Sequence, residues 1–177
     1  MPTDDRYPVA SALAERLLEA WNARDLERFV GLLDEDVEWY DPAMPHPPAR
    51  GHSEVRAFAE AVLRAFPDFR YEVLGPVCDV PDGSRCAIPW RITATHSAAL
   101  TPPGFAPTGR RLSVEGVDLI EARDGKVTRV LTCFDPIVAA EQLLGLRLRP
   151  VPGSLRERLM VGLQRLAAAW ARRGSSR

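Results

Sequence analysis

Asp118 stands out by its surroundings. Residues 112 to 121 alternate like a strand, and the even positions run Leu112, Val114, Gly116, Asp118, Ile120. One carboxylate therefore falls on an otherwise apolar face. If that face is interior, poor solvation lifts its pKa toward the range useful for a general acid or base. The preceding strand carries Ile88, Trp90, Ile92, Ala94 and His96 on one face, so His96 is the second candidate for proton chemistry. Antiparallel pairing through the intervening loop would place His96 near the start of the Asp118 strand or of its neighbour, without fixing it beside Asp118. The blander alternatives are a carboxylate bonded to a core group and a strand-end histidine bonded to a loop carbonyl.

Trp39, Tyr40 and Trp90 lie on strands. They suit ordinary core packing, and equally an aromatic-walled pocket for a flat apolar ligand. Val114, on the Asp118 face, and Phe134, on the last strand, complete the candidate wall. Asp41 precedes Pro42 and reads as a turn former, and Asp135 precedes Pro136 and reads as a helix cap or, alternatively, a catalytic carboxylate. His46, His52 and Asp41 fall in or beside a Pro-rich loop, a weak case for a metal, and no metal site is expected. Cys78, Cys86 and Cys133 have neither zinc-finger nor paired-disulfide spacing and read as small hydrophobes in a reducing compartment.

The elements that must position these residues follow from periodicity. A helix is predicted over residues 9–30, broken at Asn22-Ala23-Arg24-Asp25, with Asp25 capping a second short helix to Leu33. Val37 to Asp41 alternates as a strand, and the Pro-rich loop follows. A third helix opens at Gly51-His52-Ser53-Glu54, with Ser53 as its cap, and Pro67 stops it. Strands are expected over 69–74, 77–80, 86–96, 110–121 and 127–134, with hairpin turns at Asp82-Gly83 and Asp124-Gly125. Helices ahead of a run of antiparallel strands give an α+β domain with the sheet curling around the helices. The expected division is a pocket domain over 1–146 and a C-terminal helical extension over 147–177. In that extension Ser154 caps an amphipathic helix with Leu155, Leu159, Leu163, Leu166 and Trp170 on one stripe. It reads as packing on the domain or across a dimer, with a membrane-surface helix as the sharper alternative.

The chain has 177 residues, net charge −1, 46% hydrophobic and 27% charged residues, an ordinary composition for one globular domain. No long basic run occurs in the first 140 residues, which argues against nucleic acid as a partner. No stretch reaches the length of a membrane span, and the polar N-terminus lacks a signal-peptide core. A cytoplasmic protein without a membrane partner is expected. Neither a Gly-x-Gly-x-x-Gly fingerprint nor a P-loop is present, so no cofactor is expected.

Four stretches together resemble the SnoaL-like polyketide cyclases of the nuclear-transport-factor-like superfamily. They are Ala20-Trp21-Asn22-Ala23-Arg24-Asp25-Leu26; Val37-Glu38-Trp39-Tyr40-Asp41-Pro42; Ala65-Phe66-Pro67-Asp68-Phe69; and Thr95-His96 followed by Pro107-Thr108-Gly109-Arg110-Arg111. The last leads into Glu115-Gly116-Val117-Asp118 and Asp124-Gly125-Lys126-Val127. The resemblance covers residues 10–146. It implies a cone-shaped curved antiparallel sheet wrapped around N-terminal helices with an internal pocket, a homodimer, and a hydrophobic small-molecule substrate. It also implies cofactor-free, aldol-type ring closure of a polyketide-like intermediate, with Asp118, matching the family's Gly-x-Asp motif, as acid/base. Epoxide hydrolysis, isomerisation and non-catalytic binding are the alternatives that the superfamily offers. An epoxide hydrolase would need Asp118, Asp135 or Asp41, and Arg91 to converge. Where family members often carry a His-Trp pair on the last strand, this chain has Arg129-Val130-Leu131-Thr132, which thins the polar chemistry of the pocket.

Overall fold

The computed structural model describes residues 9–174. Helix α1 (Ala10–Ala23) buries Leu13, Leu17, Ala20 and Trp21 at helical spacing, and Arg24 ends it in the left-handed region at φ 57°. Asp25 then accepts the Arg28 backbone N–H at 2.9 Å and starts α2 (Leu26–Gly31). Strand β1 (Leu33–Tyr40) is longer than its expected core. A two-residue β2 (Ala49–Arg50) leads into α3 (Gly51–Ala65). Ser53 does not cap α3. Arg50 occupies the cap without a side-chain bond, and its backbone N–H instead donates to the Glu54 carboxylate at 2.8 Å.

The remaining strands are β3 (Arg70–Val73), β4 (Cys78–Asp79), β5 (Arg85–Thr95), β6 (Arg111–Arg123) and β7 (Lys126–Phe134). They form one curved sheet in the order β2-β1-β7-β6-β5-β3, with β4 on β5. The curved sheet is antiparallel as expected from β3 through β7, while β1 pairs with β7 in parallel. The reason is topological: α3 and the β3–β6 meander intervene before the chain returns beside its first strand. Asp124 (φ 52°) and Gly125 (φ 76°) both take the left-handed conformations that a two-residue hairpin between β6 and β7 requires.

Along β5, Cys86, Ile88, Trp90, Ile92 and Ala94 are buried in strict alternation. On β6 the buried positions are Leu112, Val114, Asp118 and Ile120. This inner face packs on α1 to make the core, where completely buried Phe29 contributes roughly 1.5–3 kcal/mol. Gly116 sits directly opposite Trp90 in the β5–β6 register. A Cβ there would run into the indole edge and stand 2.6 Å from the Cys133 carbonyl oxygen, so the missing side chain is what admits the indole.

Asp135 accepts the Ile137 and Val138 backbone N–H groups and caps α4 (Pro136–Leu144). Gln142 of α4 brackets Ser113 of β6, accepting its N–H at 2.7 Å and donating to its carbonyl at 2.9 Å. The chain divides into two compact units between Gly145 and Leu146. The second unit contains α5 (Leu155–Gly174).

Candidate functional site

The inner face of the sheet encloses a cavity of about 120 Å³. Its floor is aromatic, with Trp21, Trp39, Phe69, Tyr71 and Phe134, and the rings meet edge to face or tilted. Trp21 and Tyr71 have centroids 5.9 Å apart, and Phe69 and Tyr71 5.1 Å. Ile92, Leu112 and Val114 come from the ribbon of β5 and β6, and Ala139 and Leu143 of α4 also border it. A second chamber of about 340 Å³, beneath the Pro-rich loop and α3, shares Ala43, Phe58, Val62 and Leu100 with the first.

Asp41 is the one ionisable carboxylate in the wall of the inner chamber. It follows β1 directly, so its side chain leaves the sheet where the Pro-rich loop begins. Its Oδ1 accepts the Ala43 N–H at 2.7 Å, an Asx turn that fixes the carboxyl. Burial pushes its pKa up to about 6, against the opposing Ala43 bond. Tyr71, also in the wall, is held by Asn22. The Asn22 amide donates to the Tyr71 carbonyl at 2.9 Å and accepts its N–H at 2.8 Å. Burial first, then the nearby Asp118 and Asp41 charges, keep the phenol protonated well above its ordinary range.

Asp118 lies on the inner face, 1% exposed, and is not part of the chamber's lining. Burial lifts its pKa to about 7, with the Asp41 charge adding to the rise and the neighbouring Trp90 indole and Thr132 hydroxyl opposing it. Those neighbours support the carboxyl incompletely, since the Trp90 Nε1 and Asp118 Oδ1 both lack a partner in good hydrogen-bond geometry. Thr132 stands opposite Asp118 in the β6–β7 register and also accepts from the Trp39 indole at 3.3 Å.

His96 does not join them. Asp118 pairs with Ile88 on β5, and His96 lies eight residues further on, roughly 26 Å of extended chain away. Its backbone N–H donates to the Arg110 carbonyl and its own carbonyl accepts from Gly109. The ring stacks on Phe66 at 5.3 Å and meets the Thr108 hydroxyl at 3.4 Å. Burial holds the imidazole below its ordinary pKa.

Of the expected wall residues, Trp39, Val114 and Phe134 border the cavity. Trp90 does not; it is fully buried between Tyr71 and Phe134. Tyr40 faces the other way, because strand alternation that sends Trp39 inward sends its neighbour outward. There its hydroxyl reaches Glu38 at 3.4 Å and Arg129 stacks on its ring at 5.2 Å. Arg91 pairs with Glu115 and Glu72 on exposed positions and Asp135 caps α4, so the carboxylate–arginine cluster an epoxide hydrolase needs is not assembled. Among the described residues, no three His, Cys, Asp or Glu side chains group as metal ligands. The sequence reads Asp41 as a turn former and carries no local pattern that singles out Tyr71 or Asn22. The Asp-Pro step at the end of an alternating strand was the available signal for Asp41.

A model of the SnoaL-like domain matches residues 14–130. No curated protein matches the sequence. Among solved structures, IdmH from Streptomyces antibioticus, a candidate polyketide cyclase, is 26% identical. The match covers 77% of this chain and 99% of that one, with a TM-score of 0.63. AclR from Streptomyces galilaeus, a candidate hydroxylase, is also 26% identical over 77% of this chain and 96% of its own, with a TM-score of 0.63. A candidate polyketide cyclase from Pseudomonas putida KT2440 shares the fold at 24% identity, over 76% of this chain and 98% of that one, with a TM-score of 0.66.

Proposed function

The chain belongs to the SnoaL-like domain family, and from that premise we propose that it closes a ring in a polyketide-like substrate by acid/base chemistry centred on Asp41. One observation carries the reading: a carboxylate with a pKa near 6 faces an apolar, aromatic chamber. Near neutral pH Asp41 is mostly ionised yet poorly solvated, the condition of an effective general base. It takes a proton from the carbon alpha to a carbonyl. The resulting enolate carbon bonds to a second carbonyl carbon of the same molecule. The alkoxide so formed recovers the proton from Asp41, which returns to its starting state. The protonated Tyr71 hydroxyl is the group best suited to stabilise the enolate oxygen. Asp118 acts as a positioning residue, its charge state coupled to that of Asp41.

Size supports division of the substrate between the chambers. The inner chamber, about 120 Å³, takes the reacting carbonyl region in this reading. The adjoining 340 Å³ takes the remainder, and walls that fold the chain into a reactive conformer supply the entropic part of the rate gain. The protein works in this reading as a homodimer, the association common to such open sheets.

Asp41→Asn, compared with wild type on linear and partly cyclised polyketide intermediates, tests this. Turnover is expected to fall about 10²–10⁴-fold while ligand binding, followed by calorimetry, is retained. Unchanged turnover with intact binding sinks the assignment of Asp41. Tight binding of such ligands by both proteins, with turnover by neither, makes the chain a carrier.

A further inference from the structure

The net charge of −1 conceals a division. Eight of the 23 Lys and Arg residues and one of the 24 Asp and Glu residues fall in residues 146–177, so that segment carries +7 and the rest −8. The basic segment contains α5, 20 residues and about 30 Å long. Leu155, Leu159, Leu163, Leu166 and Trp170 share one face at spacings of four, four, three and four, and all five are exposed, Trp170 by 76%. Leu155, Leu159, Gly162, Leu163 and Leu166 form a shallow apolar groove whose border includes Arg158. One helical repeat on, Arg165 falls on the same edge as Arg158. Arg156 lies on the opposite edge.

We propose that α5 is a membrane-surface helix, lying in the interface of an anionic bilayer with its leucines among the acyl chains and Arg158 and Arg165 at the phosphates. Charge decides between occupants. A second α5 laid stripe to stripe would bring two arginine edges together. The segment's single acidic side chain, Glu157, is engaged in accepting the Gly153 N–H at 2.6 Å. A surface of lipid phosphates offers an apolar layer and negative charge in the right order. Among the described residues no helix is long and apolar enough to cross a membrane, so α5 lies along the surface. The −8 of the remaining chain disfavours adsorption through any other part. The attachment would set the protein where an apolar substrate concentrates, although the inference stands without that reading.

The full-length protein carries its own reporter. Trp21, Trp39 and Trp90 are at most 2% exposed, so a vesicle-induced blue shift of tryptophan emission comes from Trp170. Vesicles of phosphatidylcholine with phosphatidylglycerol are compared with phosphatidylcholine alone by emission and co-sedimentation. Binding at least about tenfold tighter to the anionic vesicles is expected, weakening as salt rises. Leu163→Glu abolishes it, and Arg158→Gln with Arg165→Gln lowers it toward the neutral-vesicle level. Trp170→Phe keeps co-sedimentation but loses the blue shift. Failure to bind either vesicle, or equal binding to both, overturns the proposal. A dimer in sedimentation that Leu163→Glu dissociates, without vesicle binding, assigns the stripe to a second copy instead.

Discussion

The ribbon of β5 and β6 has a buried ionisable group toward each end, and the two ends are built differently. Asp118 is 1% exposed and His96 2%, and burial drives each toward its neutral form, raising the carboxyl and lowering the imidazole. Asp118 lines neither chamber, but its charge state is coupled to that of Asp41, whose carboxyl borders the inner one. His96 lines neither chamber either: its ring lies against Phe66 and the Thr108 hydroxyl, although Phe66 itself and Ile92, Leu112 and Val114 at that end of the ribbon border the inner one. Desolvation alone makes a perturbed group. A space beside it makes a reactive one.

The sharpest way to test the contrast is through stability. The Asp118 carboxyl rises from 3.8 to about 7 on folding, so between those values the native protein holds a proton that the unfolded chain has released. Stability therefore falls as pH rises through that window, by up to about 4 kcal/mol. Asp118→Asn removes this contribution. Denaturant unfolding at pH values across the window is expected to find the variant more stable than wild type on the alkaline side, with the difference vanishing near pH 4. Parallel curves for the two proteins would mean that Asp118 is hydrated, and desolvation would no longer be what the two ends have in common.

A smaller effect is expected from the packing that creates the Asp118 end. Gly116→Ala forces a Cβ against the Trp90 indole and the Cys133 carbonyl, and neither the opposed strand nor a fully buried ring can yield cheaply. A loss of about 1–3 kcal/mol is expected, read as a lower Tm with a changed near-ultraviolet signal from Trp90. A fully stable variant with an unchanged signal would show that the ribbon is slack there, and that the Trp90–Asp118 geometry is not held by packing.

How much of this the sequence discloses depends on whether one period governs the residue. Alternation along β6 suffices to put Asp118 inward with Leu112, Val114 and Ile120. The same rule, applied to Trp39 and Tyr40, forbids both from facing one cavity. The separation of Asp118 from His96 is a matter of register. The long loop between β5 and β6 leaves register open until Arg110 is seen bonded to His96. Asp41 was hidden by a rule that is locally right: it does form a turn, accepting the Ala43 N–H. Only the placement of β1 beside β7 and the roof supplied by α3 turn that same carboxyl into a chamber wall. Tyr71 depends on a side chain 49 residues away, Asn22, and no local pattern encodes such a bond.

The smallest effect belongs to His96, and its direction separates the two ends most cleanly. Its folded pKa lies below the ordinary 6.5, so as pH falls through that region the unfolded chain takes up a proton that the native protein refuses. The stability it contributes is complete above pH 6.5 and is lost on acidification, opposite in sign to Asp118. His96→Gln should flatten the acid side of the stability curve and leave turnover within about threefold of wild type. Unfolding between about pH 5 and 7, paired with turnover at neutral pH, reads both. A fall in turnover of about 10²-fold, the size expected when a general acid or base is removed, would mean that substrate reaches His96. The Phe66 side of the inner chamber would then open onto the imidazole, and the distinction between perturbed and reactive groups would have to be drawn elsewhere.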